Sequence, residues 1–344
     1  MNKSNDFNPV LCKYLGLTEC GENGPNRTVR LAPFKDGTFR ATQPSALNDV
    51  LSETKCLAYF NEFSPADLHV AETQLQQDNL DGQKPSAEYV LRHLKHNYNS
   101  PRYTPDMFPG LFDGKKISKS DFEESEFFQA ITAINSQLIN MVSLNYGVLS
   151  LAQDYLDPLM WCHYGANGRG ICIEFFPNHP YLNQNKPQSV SYAPEDRLQF
   201  SYFEGTMRIN GVYIKRGTNA NDQIVELGQE LTTYFSEQQI NQSILYTKSE
   251  QWAYENEKRI TYPLDKCKLT KRNCNGFFVD RAKAIYCTEI PFSAFKSVYL
   301  GYVISSEDRK AVVNTIRENR ELSHVSVFEI YPCPTGVLRT RIVD

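Results

Sequence analysis

Glu255 and Glu257 stand at alternate positions, Arg259 continues the alternation, and Trp252 and Tyr254 lie just upstream. In an extended segment alternate side chains share a face, so these two carboxylates and the guanidinium are expected together. Paired carboxylates beside aromatic rings can hold a ribose hydroxyl or act as a base. A solvated acidic strand entrance is the competing reading of the same residues.

A second segment runs Leu159-Met160-Trp161-Cys162-His163-Tyr164-Gly165-Ala166-Asn167-Gly168-Arg169-Gly170 and leads into the apolar run Ile171-Cys172-Ile173-Glu174-Phe175-Phe176. His163 and Tyr164 bring a proton donor and an aromatic face to one turn. Glycines there allow a backbone to approach a ligand closely, or simply serve a tight turn. Under that second reading Trp161 and Tyr164 wedge a helix against a sheet. A third segment, Arg40 to Asp49, holds Thr42, Asn48 and Asp49, which either face a ligand or cap and bend the chain.

Other chemistries are missing from the pattern. There is no phosphate-binding P-loop, no G-x-S-x-G elbow and no H-E-x-x-H pair. Nine cysteines are scattered without C-x-x-C spacing. Free thiols in a reducing compartment explain them better than zinc does, so no metal is expected. Thirty-six basic against forty acidic residues give a net charge of −4, which removes any global pull toward nucleic acid. The densest basic cluster, Lys266 to Arg272, reads as a solvated hairpin edge. The polar start and the lack of a long apolar run predict a cytoplasmic protein with no membrane partner.

The elements that must position these residues read as α+β, with central antiparallel or mixed sheets and flanking helices. Strands are expected at Thr28–Phe34, Gly37–Thr42, Tyr146–Ala152, Gly170–Phe176, Ser189–Tyr192, Ile260–Pro263, Ala284–Cys287 and Phe295–Gly301, with a closing strand at Val325–Pro332. Helices are expected at Ser86–Asn97, from Ser120 or Asp121 to Val142, at Leu156–Trp161, Val225–Ile244 and about Ser306–Arg320. Asn97–Gly114 reads as a long loop. The whole chain, 1–344, reads as one large domain with a helical and loop insertion at about 61–143.

In order, several segments resemble a bacterial family, domain-of-unknown-function family 2971, found among abortive-infection and phage-defence genes. They are Lys13-Tyr14, Gln43-Pro44-Ser45-x-Leu47-Asn48-Asp49, Met160-Trp161-x-His163-Tyr164-x-x-Asn167-x-x-Gly170-x-x-Ile173-Glu174-Phe175, Val190-x-Tyr192, and Lys248-x3-Trp252-x-Tyr254-Glu255-x-Glu257-x-Arg259. The resemblance spans about residues 11–305. It departs at Val50, where the family has Pro, and at Lys258, where it has Trp.

The motif order is also similar to that of ADP-ribosyltransferases, with their split sheet core. That likeness implies NAD as substrate. Lys13, Tyr14, Thr42, Asn48, Asp49, Trp161, Tyr164, Trp252 and Arg259 would bind it, and His163, Glu255 and Glu257 would do the chemistry. It also implies a nucleic-acid or protein acceptor, and an antitoxin or regulatory partner to restrain a toxin. A metal-independent ribonuclease using His163, Glu255 and Arg259 is the first alternative. A non-catalytic phage-sensing module is the second.

Overall fold

The computed structural model describes residues 10–17, 29–49, 53–79, 81–95, 118–214, 235–270 and 284–343. It has an α+β fold with several mixed and antiparallel sheets. The Cα framework divides into two compact units: Met1–Ala46, Leu144–Val190 and Gln251–Asp344 form one, and Leu47–Ser143 with Ser191–Glu250 form the other. The insertion expected at about 61–143 lies inside the second unit, which also takes in a later stretch of chain.

In the first unit, β1 (Leu11–Leu15), β5 (Ile171–Phe175), β13 (Phe295–Leu300), β14 (Ser326–Pro332) and β15 (Leu338–Ile342) form a five-stranded sheet in the order β1-β5-β13-β14-β15. β13 and β14 are parallel. A parallel pair needs a crossover, and the helix Ser306–Glu318 supplies it, burying Val312, Val313 and Ile316. Two three-stranded sheets accompany this one. The first is β4 (Tyr146–Leu151), β10 (Lys258–Pro263) and β6 (Gln188–Ser189); the second is β11 (Lys268–Thr270), β12 (Ile285–Glu289) and β2 (Thr38–Ala41). Single bridges, Thr42 to Val148 and Cys12 to Ala152, tie β4 to the chain on either side of it. Leu149, Leu151, Ile171, Ile173, Phe175, Ile260 and Phe295 share the main core enclosed by these sheets.

In the second unit, β3 (Leu57–Phe60), β7 (Gln199–Phe203), β8 (Thr206–Ile209) and β9 (Val212–Tyr213) form a four-stranded sheet. Because cross-strand partners share a face, Phe60, Phe200 and Tyr202 lie on one side. Phe127 of the long helix Lys119–Asn145 packs on that side, 4.9 Å from Phe60 and 5.9 Å from Phe200 between ring centroids. The helix Pro65–Asp78 engages the opposite side, where the side-chain oxygen of Gln199 accepts the N–H of Ala66. Ser64 and Asp67 close its first turn as a reciprocal capping box.

Several expectations are revised. Thr28–Phe34 is not a strand in its described part: Ala32–Lys35 is a short helix, with proline in its first turn where a missing N–H costs nothing. The long helix starts at Lys119, one turn of cap supplied by Ser118 rather than Ser120 or Asp121, since Ser118 Oγ accepts the Asp121 N–H. Val325–Pro332 does not close the sheet; β15 adds an outer strand. Of the expected strand Ser189–Tyr192 only Ser189 lies in a strand, the two-residue Gln188–Ser189, and Ser191 makes a single bridge to Thr247. The described helix in the Val225–Ile244 region is Glu237–Leu245. The Asn97–Gly114 loop and the end of the basic cluster at Lys271 and Arg272 lie outside the described residues.

The glycines of the second segment are used for chain crossing. Gly168 has φ +76°, and a Cβ there would come 2.5 Å from the Tyr302 ring. A Cβ on Gly170 would meet the Leu15 carbonyl oxygen at 2.2 Å. Backbone N–H groups of Gly301 and Val303 donate to the carbonyls of Gly170 and Gly168 across this contact. The Gly168→Ala variant therefore meets both backbone strain and a clash, and is expected to lose about 2–4 kcal/mol in chemical denaturation. A loss below about 0.5 kcal/mol would show that the crossing is not tight.

Candidate functional site

The site forms in the first unit where α5 (Pro158–His163) meets residues 251–255 of the 3-10 turn Glu250–Glu255. α5 is short and well started. Asp157 accepts the N–H groups of Leu159 and Met160, and Pro158 fits the first turn. This fixes which way each residue points. Trp161 is fully buried, its Nε1–H donating to the Tyr155 carbonyl at 2.9 Å. Tyr14 meets it edge-on at 5.1 Å and donates its hydroxyl to the Asp154 carbonyl at 2.8 Å. Burial drives the Tyr14 pKa far up, so it stays a neutral phenol. Trp161 and Tyr14, expected to contact a cofactor, are instead part of the packing that holds α5 to the sheet.

His163 is exposed and points away from this cluster, while Tyr164 is half-buried and packs beside it. The His163 ring sits 6.2 Å from Trp252, 6.3 Å from Tyr254 and 6.3 Å from Tyr164, and Trp252 and Tyr254 are 6.1 Å apart. These four rings form an aromatic rim. Beneath it the Tyr164 hydroxyl donates to Glu255 Oε1 at 2.6 Å. Charge-assisted bonds of this length are the strong ones, and they fix a carboxylate in place. Glu255 retains 4% of its surface exposed.

The two carboxylates are not arranged as an extended strand would place them. β10 begins only at Lys258, Glu250–Glu255 is a 3-10 turn, and Asn256 between the glutamates has φ +43°. Asparagine tolerates that left-handed conformation better than most residues. The kink sends the two side chains to different partners. Glu257 holds Arg259 through a two-point bond, Oε1 to Nε at 2.8 Å and Oε2 to Nη2 at 3.0 Å, with both side chains almost fully buried. Glu257 thereby secures the start of β10, and Glu255 is the carboxylate next to the rim.

Lys13 of β1 is half-buried, and its charge feels Glu257 and Glu255. Desolvation outweighs their attraction and lowers its pKa below the ordinary lysine value. Thr42 is positioned by the reciprocal backbone bonds to Val148, 2.8 and 2.7 Å long. Register places Thr42, Val148, Ser150 and Arg259 on the same side of β4 and β10. Asn48 and Asp49 belong to the second unit, Asn48 exposed and Asp49 buried with its carboxylate acting on Arg197.

One polar network escapes a reading of motifs alone. Glu174, the single charge in the β5 run, is buried and accepts from Lys296 Nζ at 2.7 Å and the Tyr299 hydroxyl at 2.8 Å. Tyr155 stacks on Tyr299 at 4.0 Å. The signal for it was a carboxylate inside an otherwise apolar strand. Among the described residues no group of three His, Cys, Asp or Glu could hold a metal ion, and no helix is long and apolar enough to cross a membrane.

Two predictions separate these roles. Glu257→Gln breaks a buried ion pair and is expected to cost about 3–5 kcal/mol, whereas Glu255→Gln still accepts from Tyr164 and is expected to cost under about 1.5 kcal/mol by urea titration. Equal losses would contradict the division. Lys13→Met removes a desolvated charge and is expected to raise the melting temperature at neutral pH. The sign follows from linkage. Below its depressed folded pKa, Lys13 carries its full burial penalty, and the wild type regains stability as pH rises from there toward the ordinary lysine value. The gap between the two proteins should close in that alkaline window, as a melting series across pH would show.

Residues 160–260 match the model of a family described as protein of unknown function, DUF2971, a narrower reach than the residues 11–305 of the motif resemblance. No curated protein and no solved structure matches the chain. The stretch from Met160 to Ile260, which carries both Trp161–Gly170 and Trp252–Arg259, is therefore the part of this chain that matches the DUF2971 family.

Proposed function

We propose that the first unit binds NAD and breaks the bond between its ribose and nicotinamide, passing ADP-ribose to a nucleic-acid or protein acceptor. The observation that carries this reading is the Glu255 carboxylate, held by the Tyr164 hydroxyl below the His163–Trp252–Tyr254 rim. A planar nicotinamide or adenine ring suits an aromatic rim. A fixed carboxylate suits the ribose hydroxyl and the positive charge that builds on the ribose as the bond breaks. The bonding electron pair leaves with nicotinamide. The acceptor's lone pair then forms the new bond to the ribose carbon and releases a proton, which Glu255 is placed to take. The Lys13 ammonium, which feels the charge of Glu257 and of this carboxylate, supplies positive charge for a pyrophosphate.

The motif resemblance, rather than the geometry, supports placing this activity in a phage-defence toxin or effector. Its rival as a ribonuclease would need His163 engaged by an acid or base partner. Among the described residues His163 makes ring contacts instead. A binding module without catalysis draws support from the burial of Glu255.

The deciding experiment incubates the purified chain with NAD labelled in the adenylate part, together with cell RNA, DNA or protein extract. Free nicotinamide and label transfer are expected. Glu255→Gln should lower the turnover about 10²–10³-fold, the scale seen on removing a single electrostatic stabiliser. Trp252→Ala should act mainly on the KM for NAD. No nicotinamide release by the wild type with any acceptor would leave the binding-module reading standing.

A further inference from the structure

The second unit carries three buried polar groups whose chemistry is unspent. Arg208 of β8 is 3% exposed, and neither Nη1 nor Nη2 has a hydrogen-bond partner. Ser201 of β7, its cross-strand neighbour, is 1% exposed with its hydroxyl unpartnered. Asp67, on the helix Pro65–Asp78 that engages this side of the sheet, is 1% exposed. Its Oδ2 caps the Ser64 N–H at 2.7 Å, but its Oδ1 has no partner. Arg208 and Asp67 feel each other's charge. Buried polar groups are nearly always paired, because an unpaired one keeps the whole cost of leaving water. Three orphans in one interface therefore mark a place built for something other than packing.

The chemistry of the missing partner can be read from the orphans. The guanidinium offers donors in a fork, the carboxylate oxygen offers an acceptor, and the hydroxyl offers either. Their charges cancel, so the guest is a neutral molecule with a pair of acceptors on one edge and a donor on the next. Guanine has this pattern: O6 and N7 take the two donors of an arginine, and its N1–H and amino group face a carboxylate. An aromatic wall is also present. Arg208 lies 5.6 Å over the Phe63 ring, and Phe63 lies 4.6 Å from Phe203. Both phenylalanines are half-buried, so they lead from the surface to the orphans.

We infer that Arg208, Asp67 and Ser201 form a cryptic site for a guanine-type base, reached when the Pro65–Asp78 helix lifts from the sheet. The closed interface seals all three groups from solvent, so binding and helix opening are one equilibrium. The site lies wholly within the second unit and is independent of the NAD reading.

Hydrogen–deuterium exchange on the full chain tests it, with guanosine and adenosine at millimolar concentration as probes. Guanosine holds the helix off the sheet, so it should speed exchange in the Pro65–Asp78 helix while it raises the melting temperature. Adenosine carries an amino group where guanine carries O6, and should do neither. Arg208→Lys and Ser201→Ala should weaken the guanosine response, the former at least tenfold in half-saturating concentration. The inference is overturned if guanosine leaves exchange of that helix in the wild type unchanged, if adenosine matches guanosine, or if Arg208→Lys responds as the wild type does. Should Arg208→Lys fail to fold, the comparison of the two nucleosides on the wild type and Ser201→Ala still decides it.

Discussion

The ion pair of Glu257 with Arg259 is the constraint on which the first unit's site depends. Both side chains are buried at the point where β10 enters the sheet, and each has left water to be there. That desolvation is repaid only by good geometry, and the two-point bond provides it. Once the pair is made, the strand cannot slide: a shift by one residue would send Arg259 to the opposite face, among Leu149, Leu151 and Ile260. With β10 fixed, Asn256 in its left-handed conformation directs Glu255 away from the strand and toward Tyr164.

The other side of the site is fixed by packing. Trp161 and Tyr14 pin α5 against the sheet from within, and the glycines at Gly168, Gly170 and Gly301 let three chain segments pass at backbone distance. Because α5 is only six residues long, its inner and outer faces are set by a single turn. Burying Trp161 turns His163 outward and leaves Tyr164 at the edge of the same cluster, where its hydroxyl reaches Glu255. The rim is thus a consequence of the core, and residues with no contact to a ligand control its shape.

Much of this was legible in the sequence. Strand β5 was readable from its apolar run, and the crossover helix Ser306–Glu318 from its spacing, because burial leaves a periodic trace. The segment around Trp252 was readable as chemistry because aromatic and acidic residues cluster there. The hairpin of β7 and β8 was less legible: Ser201 and Arg208 are the polar half of its alternation, and in a sequence such residues look like solvent positions. The short helix Ala32–Lys35 was hidden for a similar reason, since four residues do not span enough turns to show a period.

Residue types alone determined the α+β class, the free thiols such as Cys12 and Cys172, and the gathering of rings and carboxylates in two short stretches. Those properties are local, or are sums over the chain, so a string of letters contains them. Which glutamate faces the rim, which tryptophan is core, and that Arg208 meets Ser201 and Asp67 were decided only by the tertiary structure. Each depends on contacts between residues far apart in the chain, made in competition with water. The choice between Glu255 and Glu257 turned on one left-handed asparagine and one buried arginine, and neither has a meaning until the chain has folded around it.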